Sequence, residues 1–391
     1  MSGIRYGVVG AGRQGTAAGY DLALHGRADS IAMIDRDSSV AERSAKRINE
    51  LIGRPAATWQ CVDVGDHDAL VDALRPLDVY VCAVPFVLIP GCTRAALGAG
   101  TSMVDLGGHT DTVFWQLALD QEAKDRAVVI VPDCGMGPGL NNTLGMYVLD
   151  LLRTAGAAPK AVRLYDGGLP QQPVEPWGYQ AAFHIDGLTN EYDGDALFLR
   201  DGRVTAVPAL TEVETISFGD YGELEAFVTS GGTSTVPDTL AGQLSTYENK
   251  TIRYPGHAAA FKAFKDLGLF ERATLEVDGS VVSPREVFHA LLGPQIEIDQ
   301  VVDVCLMRAV GEGVLAGVET RVVVELVDHF DPATGFAAME RLTGWHASIM
   351  AAFIGAGSIG PGVHRMEQAV PAGRFMEEIR RRGFHVEERW E

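Results

Sequence analysis

The stretch Gly10-Ala11-Gly12-Arg13-Gln14-Gly15 constrains this chain more than any other. A GxGxxG pattern alone arises easily in a chain with 45 glycines, so its surroundings must give it meaning. It follows at once on the apolar run Ile4-Arg5-Tyr6-Gly7-Val8-Val9 and opens an Ala-rich helical stretch from Gly15 to about His25. An acid follows at Asp35, 35 − 15 = 20 residues past the last glycine. Each part has a physical task. Gly10 permits the tight turn, Gly12 lets a pyrophosphate approach the backbone, and Gly15 allows close helix–strand packing. The helix N-terminus offers free N–H groups and a positive dipole end to phosphates, with Arg13 and Gln14 of the glycine-rich turn as further cofactor-binding candidates beside it. Asp35 can accept hydrogen bonds from ribose hydroxyls and would repel a 2′-phosphate, which favours NAD; Arg36 could instead pair with that phosphate. Asp63 and Val64, closing a third strand, fit an adenine-side contact, and a solvated strand end is an equally good account of Asp63.

The rest of the first third keeps the same rhythm. Ser30–Ile34, Trp59–Val62, Val79–Val84, Thr101–Asp105 and Val128–Val131 read as strands, with a helix over Val40–Leu51. Apolar strands alternating with helices predict a Rossmann-type, doubly wound parallel sheet covered on both faces. After about Asn142 the texture changes. A helix to Leu152 gives way to segments such as Val162–Tyr165, Ala181–Ile185, Leu224–Phe227 and Thr320–Leu326, which predict an α+β domain with a mainly antiparallel sheet. Helical periodicity returns over Ala337–Ile354. The chain thus divides into a dinucleotide-binding domain (1–142), a substrate and dimerisation domain (143–336), and C-terminal helices returning to the first domain (337–391).

A formal charge of −20 over 391 residues, with pI near 4.9, repels phosphate backbones and anionic lipid, which argues against nucleic-acid and membrane partners. The five cysteines are odd in number and never form CxxC, so neither a structural metal site nor a disulfide framework is expected, and a reducing cytoplasm fits. The opening Met1-Ser2-Gly3-Ile4 leads directly into a strand, with no room for a signal peptide.

Ligands on an open parallel sheet bind beyond the carboxyl ends of its strands. There the fourth strand offers Ala83-Val84-Pro85, small and apolar, suited to lie against a nicotinamide. The fifth offers Asp105-Leu106-Gly107-Gly108-His109, and the sixth Asp133 in a glycine-rich loop. Asp105, His109 and Asp133 are therefore the catalytic candidates around a reacting carbon. Capping of the loops by Asx-turns is as good an account of either acid taken singly. A buried, inert thiol is the better account of Cys134. Further on, Arg253 has the fork that suits a substrate carboxylate, or it pairs with a surface acid.

These blocks together resemble the saccharopine dehydrogenase-like superfamily, and within it the lysine 6-dehydrogenases. The matching stretches run in order: Gly7–Gly15, Val104–Gly108, Pro132–Leu140, Tyr165–Pro170, Asp186–Tyr192, Thr229–Thr235, Lys250–His257, Arg341–Trp345 and Gly360–Val363. The resemblance implies a homodimer, and substrate lying between the Asp133 loop, a turn at Tyr165–Pro170 and the segment Thr251–His257. Tyr165, Asp166, His184, Thr251, Arg253 and His257 are the substrate-binding candidates on that basis. Saccharopine-acting relatives carry an arginine in the loop that is here Ser230–Thr235, where this chain has none. Lysine 6-dehydrogenases carry asparagine, serine and a small apolar residue where His109, His184 and Asp166 stand.

The implied chemistry is NAD-dependent oxidation of a C–N bond of a small amino-acid substrate: the ε-amine of L-lysine, giving a semialdehyde that cyclises, with release of ammonia. The alternatives are a secondary-amine reductase of the saccharopine or carboxynorspermidine type, and a nucleotide-sensing regulator without catalysis. The dense polar cluster at three strand ends argues against the sensor.

Overall fold

The computed structural model describes residues 3–181, 185–298 and 300–391. Six short parallel strands come first: β1 (Ile4–Val9), β2 (Ala28–Asp35), β3 (Ala57–Cys61), β4 (Val79–Cys82), β5 (Ser102–Asp105) and β6 (Val129–Val131). They pair in the order β6-β5-β4-β1-β2-β3, so the chain reverses its winding between β1 and β4. Successive residues point to opposite faces, and both faces are covered. Val8, Ile31, Met33, Val81, Val104 and Val131 meet helices Arg13–His25 and Ala338–Gly355 on one side. Val9, Ile34, Tyr80, Cys82, Met103 and Ile130 meet helices His67–Leu74 and Ile89–Ala99 on the other. That double burial is why these strands read as continuous apolar runs rather than alternating ones.

The second sheet is built from β7 (Ala158–Pro170), β8 (Asp195–Arg200), β9 (Arg203–Pro208), β10 (Glu214–Ser217), β11 (Glu223–Val228) and β12 (Thr246–Arg253). A small separate hairpin, β13 (Leu275–Val277) with β14 (Ser280–Val282), precedes the long strands β15 (Asp303–Leu315) and β16 (Val318–His329). The main path runs β10-β11-β12-β7-β15-β16, antiparallel except where β12 lies parallel to β7. Helix Leu140–Thr154 fills the space between the sheets, and its Leu144, Val148 and Leu152 belong to a core that also takes in Val8, Val162, Leu164 and Met307. Packing is thus continuous from the first sheet to the second.

Three expectations need correction. Tyr165–Pro170 is no turn but the end of β7, because its Gly167 and Gly168 pair in register with Leu306 and Cys305 of β15. The segment Ala181–Ile185 is not a strand at its far end, since Ile185 opens helix Ile185–Glu191; Ala182–His184 lie outside the described residues. The C-terminal segment is not only helical. It gives β17 (Gly362–Val363) to the edge of the first sheet beside β6, and β18 (Val386–Trp390) to the second beside β16.

Candidate active site

The glycine-rich turn after β1 is built as the pattern requires. Gly10 takes φ +92°, and a methyl there would strike the Ala83 carbonyl at the end of β4; one at Gly15 would strike the Gly10 carbonyl. At Gly12 nothing lies within 4 Å of an added Cβ, and helix Arg13–His25 begins there with no side-chain cap. An open approach to uncapped N–H groups fits a dinucleotide pyrophosphate. Asp35 stands at the end of β2, its carboxylate accepting from Ala11 N (2.9 Å) and Asp37 N (3.0 Å). Arg36 is exposed beside it, while Arg13 is turned away to Glu340 of helix Ala338–Gly355 (2.7 Å). Gln14 occupies the helix's first turn, half-buried. Ala83 and Val84 are half-buried at the end of β4, followed by exposed Pro85. Asp63 is exposed and accepts from Gly65 N (2.8 Å), the turn-capping role; Val64 beside it packs on the first sheet's core.

The two acids at the neighbouring strand ends have different fates. Asp105 is buried and fully engaged. Its Oδ1 accepts from Gly107 N (2.9 Å) and Asp133 N (3.1 Å), and its Oδ2 from Gln116 Nε2 (2.8 Å). The carboxylate ties loop 105–109 to loop 132–139 and to Gln116, with both oxygens engaged, so the geometry favours the loop-holding account of Asp105 over the catalytic one. His109 likewise caps helix Thr110–Leu117, its Nδ1 accepting from Thr112 N at 3.3 Å, and its ring stacks on Phe86 at 5.2 Å. It nonetheless lines the cleft described below.

Asp133 is different. It holds φ +59° and is 2% exposed; Ser234 Oγ donates to its Oδ2, and Oδ1 has no partner. Burial, then the nearby Asp105 charge, push its pKa up to about 7. Gly107 is required here, because a methyl in its place would collide with Asp133 Oδ1. In front of the Gly108 wall lies a cleft of about 330 Å³ between the sheets, bounded by His109, Asn190, Leu197, Ser230, Gly231 and Thr233. Asn190 Nδ2 spans it to Gly108 O at 3.2 Å.

The inner face of the second sheet carries a further, buried set of polar side chains. On β12, Tyr247, Asn249, Thr251 and Arg253 share the face toward helix Leu140–Thr154, as does Asp166 on β7, the register partner of Thr251. Asp166 is 6% exposed, receives a hydrogen bond from Asn249, and has a pKa lifted to about 6 by burial; its Oδ1 has no partner. Asn249 Oδ1 is also without a partner. Thr251 Oγ1 meets Thr229 Oγ1 at 2.7 Å. Arg253 is buried over the Tyr179 ring, donates from Nε to Tyr192 Oη (3.0 Å) and from Nη1 to Ile252 O (2.9 Å), and faces Glu191 at 3.7 Å.

Two of the substrate-binding assignments are corrected. Tyr165 cannot share a pocket with Asp166, because adjacent strand residues face opposite ways; it packs with Leu169, Phe218 and Ile252 on the outer face. His257 is a core histidine. Its nitrogens engage Tyr192 Oη (2.9 Å) and Trp177 O (3.0 Å), its ring stacks on Phe261, and burial drives its pKa down to about 3. His184 lies outside the described residues. Missed from the sequence were Asn141, Asn249 and Ser234. Asn141 and Asn142 both donate to Gly232 O (2.9 and 3.0 Å), holding loop 230–235 against the site. For Asn249 a signal existed: it precedes Thr251 and Arg253 at a spacing of two, the period of one strand face.

A doubly wound parallel sheet with an open glycine turn is thus packed, through helix Leu140–Thr154, against a second, mixed sheet whose inner face carries the buried Asp166. Two family models match: the saccharopine dehydrogenase NADP binding domain over residues 7–131, and the saccharopine dehydrogenase C-terminal domain over residues 135–384. The chain belongs to the saccharopine dehydrogenase family. It is 25% identical to the NADP-linked, L-glutamate-forming saccharopine dehydrogenase of Pyricularia oryzae, over 58% of this chain and 50% of that one. It is 24% identical to the mitochondrial alpha-aminoadipic semialdehyde synthase of Bos taurus, over 58% of this chain and 25% of the relative. The chain thus spans half or less of the length of these curated relatives. Among solved structures, apo saccharopine dehydrogenase (L-Glu forming) from Saccharomyces cerevisiae matches over 100% of both chains with TM-score 0.79 at 19% identity. Homospermidine synthase from Legionella pneumophila, in complex with NAD, matches over 99% of this chain and 91% of that one with TM-score 0.65 at 11% identity. Among the described residues no helix is long and apolar enough to cross a membrane, and no cluster of His, Cys, Asp or Glu could hold a metal ion.

Proposed function

We propose that this protein oxidises a C–N bond of an amino acid, with L-lysine as substrate, its ε-carbon as the hydride donor and NAD as the acceptor. The observation that carries the reading is the set of buried acceptor oxygens without donors at the seam between the sheets: Oδ1 of Asp133, of Asp166 and of Asn249. Buried acceptors that the fold leaves unpaired call for a ligand rich in N–H groups, and an amine is such a ligand. Bound nicotinamide supplies the hydride acceptor. Asp133 would hold the reacting ammonium at Oδ1 and take its proton, because hydride can leave only from the neutral amine, whose free pKa is about 10.4. A buried carboxyl near 7 is a stronger base than an ordinary one. Arg253 would hold the α-carboxylate. Loss of a hydride and a proton leaves an imine; water adds, ammonia departs, and the semialdehyde closes on its own α-amine.

Asp35 at the end of β2 supports NAD, since its carboxylate would repel a 2′-phosphate on the adenosine ribose. The missing arginine in Ser230–Thr235 supports a single amino acid over saccharopine. The same reading includes a homodimer formed through the second sheet, whose edge strands β10 and β18 are otherwise open; a monomer by light scattering at micromolar concentration would remove that part. The test of the activity is NADH fluorescence with amino acids and polyamines, using NAD and NADP in parallel. L-lysine with NAD should give NADH and ammonia in equal amounts, and saccharopine neither. Turnover of saccharopine or of a polyamine, with L-lysine inert, would move the protein to the secondary-amine reading of its relatives.

A further inference from the structure

Oxidation at Asp133 needs one buried carboxylate, and the inner face of the second sheet presents another. Asp166 is 6% exposed and its Oδ1 has no partner. It is set in a tight frame: a methyl at Gly137 would come within 2.5 Å of Asp166 Oδ2, while Asn249 donates to the carboxylate from the neighbouring strand. Asn249 is 2% exposed and keeps its own Oδ1 without a partner. Four residues further along the same face of β12 stands Arg253, whose positive charge acts on Asp166. Its Nη2 is 3.7 Å from Glu191, outside hydrogen-bonding reach.

A buried carboxylate with an unpaired oxygen is costly, and a ligand that supplies the donor removes that cost. The ligand is defined by what surrounds the acid. Two acceptor oxygens, from Asp166 and Asn249, stand on the same face as a guanidinium. This is the complement of a zwitterion carrying an ammonium and a carboxylate on one carbon. We propose that Asp166, Asn249 and Arg253 form the subsite for the α-amino-acid head of the substrate, with Asp166 and Asn249 Oδ1 receiving the α-ammonium and Arg253 the carboxylate. The proposal rests on the reading that the substrate is an amino acid oxidised at its side-chain nitrogen. It adds an orientation: the head lies against the second sheet and the reacting nitrogen points to Asp133 at the first. It also makes the α-amine a requirement for tight binding, although that amine is not the one oxidised.

The test uses binding as well as turnover. L-norleucine has the amino-acid head with an apolar tail, and hexanoate lacks the α-amine. Calorimetry on the NAD-loaded full-length protein should show L-norleucine binding to the wild type and at least roughly tenfold weaker binding to Asp166→Asn, with hexanoate weak and equal in both. Asparagine is isosteric, so unchanged melting of the variant excludes misfolding as the cause. In turnover, Asp166→Asn should raise the KM for L-lysine with kcat largely kept, the mark of a binding group. It should leave 6-aminohexanoate, a poor substrate in both, unchanged. Equal L-norleucine binding by wild type and variant, no preference for L-norleucine over hexanoate, or no binding of L-norleucine to the wild type would each overturn the subsite. L-lysine turnover that survives any of these leaves the oxidation reading standing. L-norleucine binding that depends on Asp166, with L-lysine never oxidised, defeats the oxidation reading and keeps the subsite.

Discussion

The strand ends of the first sheet and the inner face of the second are both rich in polar side chains, and they use them in opposite ways. At the first sheet, Asp35, Asp63, Asp105 and His109 all turn an acceptor back onto nearby backbone N–H groups. At the second, Asp166 and Asn249 are held by their surroundings and still leave an acceptor unused. Asp133 belongs to the first region by sequence and to the second by behaviour, with Oδ1 unpaired although its neighbour Asp105 has both oxygens engaged. The lesson is that an acid at a strand end is informative only once its hydrogen bonds have been counted. Loops that must hold a tight path need acceptors of their own, and a side chain used for that has little left for a ligand.

The sharpest way to break this contrast is to treat the two neighbouring acids alike. Asp133→Asn should lower kcat and kcat/KM together by at least roughly 10²-fold, the usual worth of a proton-transfer group. Normal kcat in this variant would place Asp133 with the capping residues. Asp105→Ala should do the reverse. Losing a buried acceptor of three hydrogen bonds should cost about 3 kcal/mol of stability, seen as a melting temperature lower by several degrees, while the surviving enzyme keeps near-normal kcat. A large loss of kcat without a loss of stability would return Asp105 to the chemistry.

Smaller effects sharpen the comparison. Asp35→Ser should narrow the preference for NAD over NADP by roughly tenfold, read as the ratio of kcat/KM values, with Arg36 then able to meet the 2′-phosphate. A wild type that prefers NADP would refute the role of Asp35. The pH dependence of stability should also report Asp133. Its folded pKa of about 7 lies above the unfolded value, so the folded protein holds this proton where the unfolded chain has lost it. The stabilisation is full below about pH 4 and fades as pH rises through about 7. Between about pH 5 and pH 8 the melting temperature of unliganded wild type should therefore fall more than that of Asp133→Asn; parallel curves would contradict the raised pKa. The smallest change is expected at the outer face: Tyr165→Phe should leave KM and kcat within about twofold, since its ring lies across the sheet from Asp166.

Much of the first sheet is legible in the order of residues alone. Its first six strands and the helices Arg13–His25 and Ser38–Ile52 fall close to where the apolar runs and the glycine pattern place them, because each is specified by local sequence: a strand buried on both faces reads as an apolar run, and the turn after β1 tolerates no Cβ at Gly10 or Gly15. The presence of Asp105, His109 and Asp133 beside that turn follows from the same logic. Their roles do not follow, since a hydrogen-bond inventory depends on partners such as Ser234, 101 residues away from Asp133. The second sheet is readable only in outline. Strict alternation already separates Tyr165 from Asp166, but which face meets the first domain is decided by the parallel pairing of β12 with β7 and by helix Leu140–Thr154 behind it. Local sequence therefore determined the elements and the nucleotide turn. Contacts between residues far apart in the chain decided which acids are used up in holding loops and which remain open to a ligand, because burial and hydrogen-bond partners are properties of the packed molecule and not of any one segment.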